Sequence, residues 1–223
     1  ASGKSAVFYA AAVEYLQRND DLRVLALYPM KALAREQEER WQSAMRLVGF
    51  PPESVCRIDG DVPVGARPSL LKRAKVLIAT PDICHAWLLP SQADPQVWRF
   101  ISHLGLIVVD EVHVYTGVFG SNAAYMFRRL QHSMALAGRT ATYLAASATI
   151  RNPGEHLRLL FGKEFIIIGT DEDTSPQSAL TVIMVRPPGT RDQLTEVSHF
   201  LQFAASATPH RFIAFVDSRN RPN

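Results

Sequence analysis

The chain has 223 residues, 47% hydrophobic and 20% charged, a globular composition that excludes a largely disordered polymer and is ample for a buried core. Lysine and arginine (24) outnumber aspartate and glutamate (21) by only three, so a polyanionic partner is permitted but any basic surface has to be local. Two cysteines, Cys56 and Cys84, lack Cys-x-x-Cys spacing, which argues against zinc or a disulfide framework, and no apolar run approaches a membrane span, so a soluble cytoplasmic protein with two buried thiols is expected.

The first element is a helix that starts at ASGKS and ends at Asn19-Asp20-Asp21. Strands are expected at 22–28, 54–58, 75–80, 104–110, 141–147 and 165–170, each a Val/Ile/Leu-rich run, and helical segments separate them. A helix after Pro29 carries Leu33, Trp41, Met45 and Val48 on one side, and another after Gly120-Ser121 repeats Ala123, Phe127, Leu130 and Met134 until Gly138 stops it. This alternation predicts an α/β fold, a buried parallel sheet flanked by helices. Past Thr170 the texture changes to polar and turn-rich, with strands expected at 180–185 and 211–217 and a helix over 191–207. Residues 1–170 therefore read as one domain, and 171–223 as a connector with the beginning of a second.

The chemistry-bearing residues sit at the predicted strand ends. Gly3-Lys4-Ser5 has the makings of a phosphate loop: Gly3 allows close backbone approach, Lys4 can reach the β and γ phosphates, Ser5 can ligate Mg²⁺, and the helix aims its first amides at the anion. Such a triplet arises by chance in roughly one chain of this length in ten, and alone it is also compatible with a solvated helix start. The decisive stretch is LGLIVVDEVH, where a buried strand ends in Asp110-Glu111 at the edge at which α/β sheets bind ligands. Near a nucleotide two adjacent carboxylates divide the labour, Asp110 holding the Mg²⁺ shell and Glu111 orienting and deprotonating water. Strand alternation would put His113 on the face of Glu111, and Ser147-Ala148-Thr149 ends another strand. These hydroxyls are either turn formers or relays between a nucleotide site and a second ligand site.

Asp110-Glu111-Val112-His113 and Ser147-Ala148-Thr149 resemble motifs II and III of superfamily 2 helicases, and Ala1 to Ser5 resembles the tail of their motif I. Tyr28 to Leu33 is similar to motif Ia, Ala79 to Asp82 to motif Ib, and Phe215 to Arg219 to motif IV. With Asp59-Gly60-Asp61, Arg67, His85, Leu89-Pro90, Val114-Tyr115, Gly117 to Ser121 and Arg128-Arg129-Leu130, nearly the whole chain resembles the DEVH-type DNA helicases of the mitomycin-repair (MrfA/YprA) group. Asn122 departs from the histidine expected there.

The resemblance implies a RecA-like, P-loop NTPase domain with the start of a second RecA-like domain, ATP and Mg²⁺ as cofactors, and ATP-driven 3′-to-5′ movement on DNA in repair. It assigns Ala1, Ser2, Gly3, Lys4 and Ser5 to the phosphate loop, Asp110 and Glu111 to magnesium and hydrolysis, His113, Ser147 and Thr149 to coupling, and Pro29, Lys31, Thr80, Pro81 and Asp82 to the DNA backbone. Lys31 alone would also suit a solvated first helical turn. An RNA helicase and a non-catalytic DNA-binding scaffold with a motor fold remain the alternatives. The family's arginine finger, worth roughly 10³ to 10⁵ in rate, is not among these residues, so this stretch alone is expected to hydrolyse ATP feebly.

Overall fold

A computed structural model describes residues 3–148, 150–169, 172, 174 and 193–207. Five strands, β1 (Arg23–Leu27), β2 (Val55–Ile58), β3 (Val76–Ala79), β4 (Leu104–Val109) and β5 (Thr142–Ala145), form one parallel sheet in the order β2-β3-β1-β4-β5. The connections carry helices α1 (Lys4–Arg18), α2 (Lys31–Leu47), α3 (Arg67–Arg73), α4 (Pro81–Ile83), α5 (Pro95–Ser102), α6 (Gly117–Leu136) and α7 (Pro153–Phe161). α4 continues through a π turn at Cys84–Leu88, where Leu89 N–H donates to the Cys84 carbonyl at 2.9 Å. Contacts divide the chain into units 1–175 and 176–223, and in the second the described element is α8 (Gln193–Ala207).

Strand alternation sorts the apolar side chains into two cores. Val24, Ala26, Val76, Ile78, Leu106 and Val108 point to one face and pack with Phe8, Ala12 and Leu16 of α1 and Ala34, Trp41 and Met45 of α2. Leu25, Leu27, Leu77, Ala79, Ile107 and Val109 point to the other, against Leu71 of α3, Phe100 of α5, Phe127 and Leu130 of α6 and Phe161 of α7. A sheet covered on both faces needs apolar residues, so β3, β4 and, after its first residue Arg23, β1 are apolar and buried throughout. Each such Leu, Ile or Phe contributes roughly 1.5–3 kcal/mol. Within the α1/α2 core, Trp41 Nε1–H donates to the Tyr28 hydroxyl at 2.9 Å and Tyr9 meets the Trp41 ring edge-on. Cys56 and Cys84 are free and buried, and burial pushes both thiols up to about 12.

Three expectations need correction. Phe165–Gly169 forms no strand. The left-handed Gly162 ends α7, Phe165 packs on Phe161, and the rest leaves the sheet, with Ile166 96% and Ile168 79% exposed. Val48 is the exposed C-cap of α2, where Ala34 and Gln37 complete the buried stripe with Trp41 and Met45. α6 begins at Gly117, three residues before the expected glycine. The strands expected at 180–185 and 211–217 lie outside the described residues.

Gly120 is inside α6 because a side chain there has no room: a Cβ would come within 2.4 Å of the Tyr115 carbonyl oxygen, a backbone atom that cannot step aside. Gly120→Ala should therefore destabilise the fold by about 1–3 kcal/mol, seen as a fall of several degrees in the thermal unfolding midpoint. An unchanged midpoint would show that α6 can shift freely against the turn before it.

Candidate nucleotide and nucleic-acid site

The sheet delivers its strand ends to one edge. Tyr28 N–H donates to the Ala79 carbonyl (3.1 Å), Asp110 N–H to Leu27 (3.0 Å) and Ala146 N–H to Val109 (3.0 Å), so the ladder runs one residue past the strands and brings the segments that follow β1, β3, β4 and β5 into one row. Asp110 is the first residue beyond β4. Its Oδ1 accepts the Glu111 backbone N–H at 2.9 Å. Burial raises its carboxyl above the usual range and the neighbouring Glu111 charge adds to this, while the Glu111 N–H, Lys4 and His113 pull it back.

Glu111 has φ 52° and ψ 44°, the one non-glycine residue with positive φ among those described. A left-handed residue reverses the chain direction at once, and the backbone passes into a tight turn at Val112–Val114. Val112 N–H then donates to the Ala146 carbonyl at 2.9 Å, while the Val112 carbonyl lies 2.8 Å from Nε2 of His156 on α7. This turn, not strand alternation, brings His113 beside Glu111, with Nδ1 3.2 Å from Oε2. The same nitrogen lies 3.4 Å from Ser147 Oγ and 3.4 Å from the Ala148 N–H. A protonated Nδ1 can donate to Glu111, and a bare Nδ1 can accept from Ala148 and Ser147. One atom cannot do both, so the ring has two exclusive hydrogen-bonding states.

On the other side of the edge, Gly3 is left-handed (φ 68°) and α1 starts at Lys4. Lys4 Nζ donates to the Ser147 carbonyl at 2.7 Å, joining the Gly-Lys-Ser start to the strand-end serine across 143 residues of sequence. Beside Ser5, a groove of about 430 Å³ is lined by Tyr9, Glu39, Arg40 and Ser43. Ala1, Ser2 and Thr149 lie outside the described residues. Lys4, Asp110, Glu111, His113 and Ser147 thus form one cluster. Among the described residues no three His, Cys, Asp or Glu side chains gather as a metal cage. Mg²⁺ does not need one, because it keeps several waters and takes one or two protein oxygens beside nucleotide phosphates, a donor set that Asp110 and the Ser5 hydroxyl fit.

The second expected ligand surface is divided. Lys31 and Asp82 face solvent, Pro29 is half-buried, and Thr80 (4% exposed) and Pro81 are packed inward. The Thr80 carbonyl is occupied by the N–H groups of Ile83 and Cys84. Lys31 starts α2 and pairs with Asp61, to which Arg35 also donates. Arg57 and Arg35 escaped the sequence reading. The signal for Arg57 was a lone charge inside the apolar strand VCRI.

A parallel five-stranded sheet with helices on both faces and an Asp-Glu pair leaving β4, beside the central strand β1, defines a RecA-like helicase domain. The chain belongs to the DEAD/DEAH box helicase family, whose model matches residues 1–156. It is 32% identical over 191 residues to "ATP-dependent helicase HRQ1" of Saccharomyces cerevisiae, covering 84% of this chain and 17% of that protein. It is 31% identical over 189 residues to the "Uncharacterized ATP-dependent helicase YprA" of Bacillus subtilis, covering 84% and 24%. Among solved structures, the DUF1998 helicase MrfA bound to DNA and AMPPNP superposes with a TM-score of 0.78 at 27% identity, covering 92% of this chain and 29% of that one. The chain thus spans less than a third of each of these proteins.

The raised Asp110 carboxyl has a consequence for stability. A group whose folded pKa exceeds its unfolded value stabilises the fold below the unfolded pKa, near 3.9, and that contribution is lost as pH rises through the folded value. At neutral pH the ionised Asp110 is therefore a net cost. Asp110→Asn, which can keep the bond from the Glu111 N–H, should raise the unfolding midpoint in metal-free buffer at pH 7 by about 1–2 °C after allowance for solvent screening, with the difference vanishing in acid. A midpoint that falls at pH 7 would contradict this.

Proposed function

We propose that this chain is the nucleotide-binding half of an ATP-dependent DNA helicase, with residues 171–223 forming the connector and the beginning of a second RecA-like domain. The observation that carries the reading is the cluster at the sheet edge: Asp110 and Glu111 beyond β4, with Lys4 reaching the Ser147 carbonyl at 2.7 Å. Its support includes family membership and the likeness to a helicase solved with DNA and AMPPNP.

In this reading Gly3, Lys4 and Ser5, with Ala1 and Ser2 before them, take the phosphates. Lys4 leaves the Ser147 carbonyl for the β and γ oxygens, and the first amides of α1 face the same charge. Ser5 and Asp110 hold Mg²⁺, which when bound spreads charge from the β and γ phosphates. Glu111, turned out by its left-handed backbone, aligns the attacking water and takes its proton. His113, exchanging Glu111 for Ser147 and Ala148, reports the state of that carboxylate to the loop after β5, where Thr149 follows. Pro29, Lys31, Thr80, Pro81 and Asp82 lie where two strands run into helix starts, a setting suited to sequence-independent contacts with a backbone. Asp82, as a carboxylate, can serve there only by positioning other groups. Movement 3′ to 5′, a role in DNA repair and a cytoplasmic location complete the proposal.

Steady-state ATP hydrolysis by the full-length protein, with and without single-stranded DNA or RNA, tests the whole. Stimulation by DNA is expected, and stimulation by RNA alone, or no hydrolysis, would overturn it. Glu111→Gln should retain nucleotide binding while lowering turnover about 10²-fold or more. An unchanged rate would remove Glu111 from its role. Lys4→Ala should abolish nucleotide-dependent strand displacement, and retained displacement would end the phosphate-loop assignment.

A further inference from the structure

The loop after β2 is held more firmly than a surface turn requires. Asp59 is 1% exposed, with Oδ2 bound by the Arg57 guanidinium and Oδ1 accepting the Asp61 backbone N–H at 2.9 Å. Arg57 also grips Glu38 of α2 at 2.9 Å. From the other side Arg67, 7% exposed, donates to the carbonyls of Val62 (3.0 Å) and Asp59 (3.3 Å), its guanidinium 5.4 Å from the centre of the Trp87 ring. Two arginines thus fix a four-residue loop, Asp59 to Val62.

What this rigid loop presents is one carboxylate. The Asp61 side chain is 62% exposed and takes Lys31 Nζ at 3.3 Å and Arg35 Nη2 at 3.1 Å, both from the first two turns of α2. The loop passes so close that a Cβ on Gly60 would lie 3.0 Å from Lys31 Nζ. Exposed ion pairs of this kind add little to stability, whereas burying guanidinium groups carries a desolvation cost. The clamp therefore makes physical sense as a device for placement. A carboxylate bridging a lysine and an arginine has the charge and the spread of oxygens of a backbone phosphate.

We propose that Lys31 and Arg35 form a single subsite for a backbone phosphate of a nucleic-acid strand, and that the Asp61 carboxylate is its built-in competitor. This rests on the nucleic-acid reading above and extends it by one cationic residue, Arg35, and one opposing residue, Asp61. A phosphate enters by displacing Asp61 and leaves when Asp61 returns. The exchange keeps the grip weak enough to be released, which a protein moving along a strand needs at every step. Lys31 and Arg35 position the strand and touch no reacting atom.

The test is the affinity of the full-length protein for a fluorescein-labelled oligothymidylate, measured by anisotropy across a salt series. Asp61→Asn should tighten binding about three- to tenfold at low salt, because two opposing ion pairs are removed. Arg35→Gln should weaken binding and flatten the dependence of log affinity on log salt by about 0.7, the value of one lost single-strand phosphate contact. In the Lys31→Gln/Arg35→Gln background, Asp61→Asn should change nothing. Asp61 is exposed and outside both cores, so these variants should melt like the wild type, and the salt slope separates phosphate contact from a merely structural role. A wild type that binds while Asp61→Asn is unchanged or weaker overturns the subsite alone. A wild type that binds no oligonucleotide overturns the nucleic-acid reading, and the subsite with it.

Discussion

The hydrogen bond from Asp110 N–H to the Leu27 carbonyl ties the chemistry to the sheet. A parallel ladder in which both faces are covered offers no face for a site, so polar residues can emerge only where the strands stop. The ladder between β1 and β4 sets where that is: Leu27 stands opposite Val109, and Asp110 is the next residue. Because Val24, Ala26, Leu106 and Val108 are locked into the α1/α2 core, and Leu25, Leu27, Ile107 and Val109 into the other, a slip of one residue would exchange every side chain between the two cores. Packing deep in the domain thereby fixes the position of two carboxylates at its rim.

That dependence explains what could be read from the sequence. The inner strands β1, β3 and β4 are legible because burial on both faces forces runs of Val, Ile, Leu and Ala, and the strand-end Asp-Glu stands out against that background. The Phe165 to Gly169 run carries the same composition, yet its exposed Ile166 and Ile168 show that an apolar run becomes a strand only where a partner strand offers it a ladder. Val48 was misassigned for a related reason: it has the helical spacing, but α2 ends one residue before it.

Within the candidate site, legibility followed chemistry more than geometry. Lys4, Asp110, Glu111, His113 and Ser147 were named from residue type and order, and the structure gathers them. Why His113 reaches Glu111 was hidden, since a left-handed glutamate has no sequence signature and the strand rule suggested a different path to the same contact. The Arg57, Arg67 and Asp59 clamp was hidden for another reason. Asp59 and Arg67 carry part of the family resemblance and Arg57 is a lone charge in an apolar strand, but the network that joins them across β2, α3 and the loop between is tertiary and has no sequence signal.

The backbone of Glu111 also bears on how such a domain can be hardened against heat. A non-glycine residue in the left-handed region carries roughly 1–2 kcal/mol of strain, whereas glycine carries none and gives back about 0.5–1 kcal/mol through the greater freedom of the unfolded chain. The balance favours glycine slightly, so selection for thermal survival alone would tend to erase the glutamate. Stability alone therefore gives no reason for a glutamate at this strained position, and a laboratory screen for robust variants that read only heat resistance would be free to replace it.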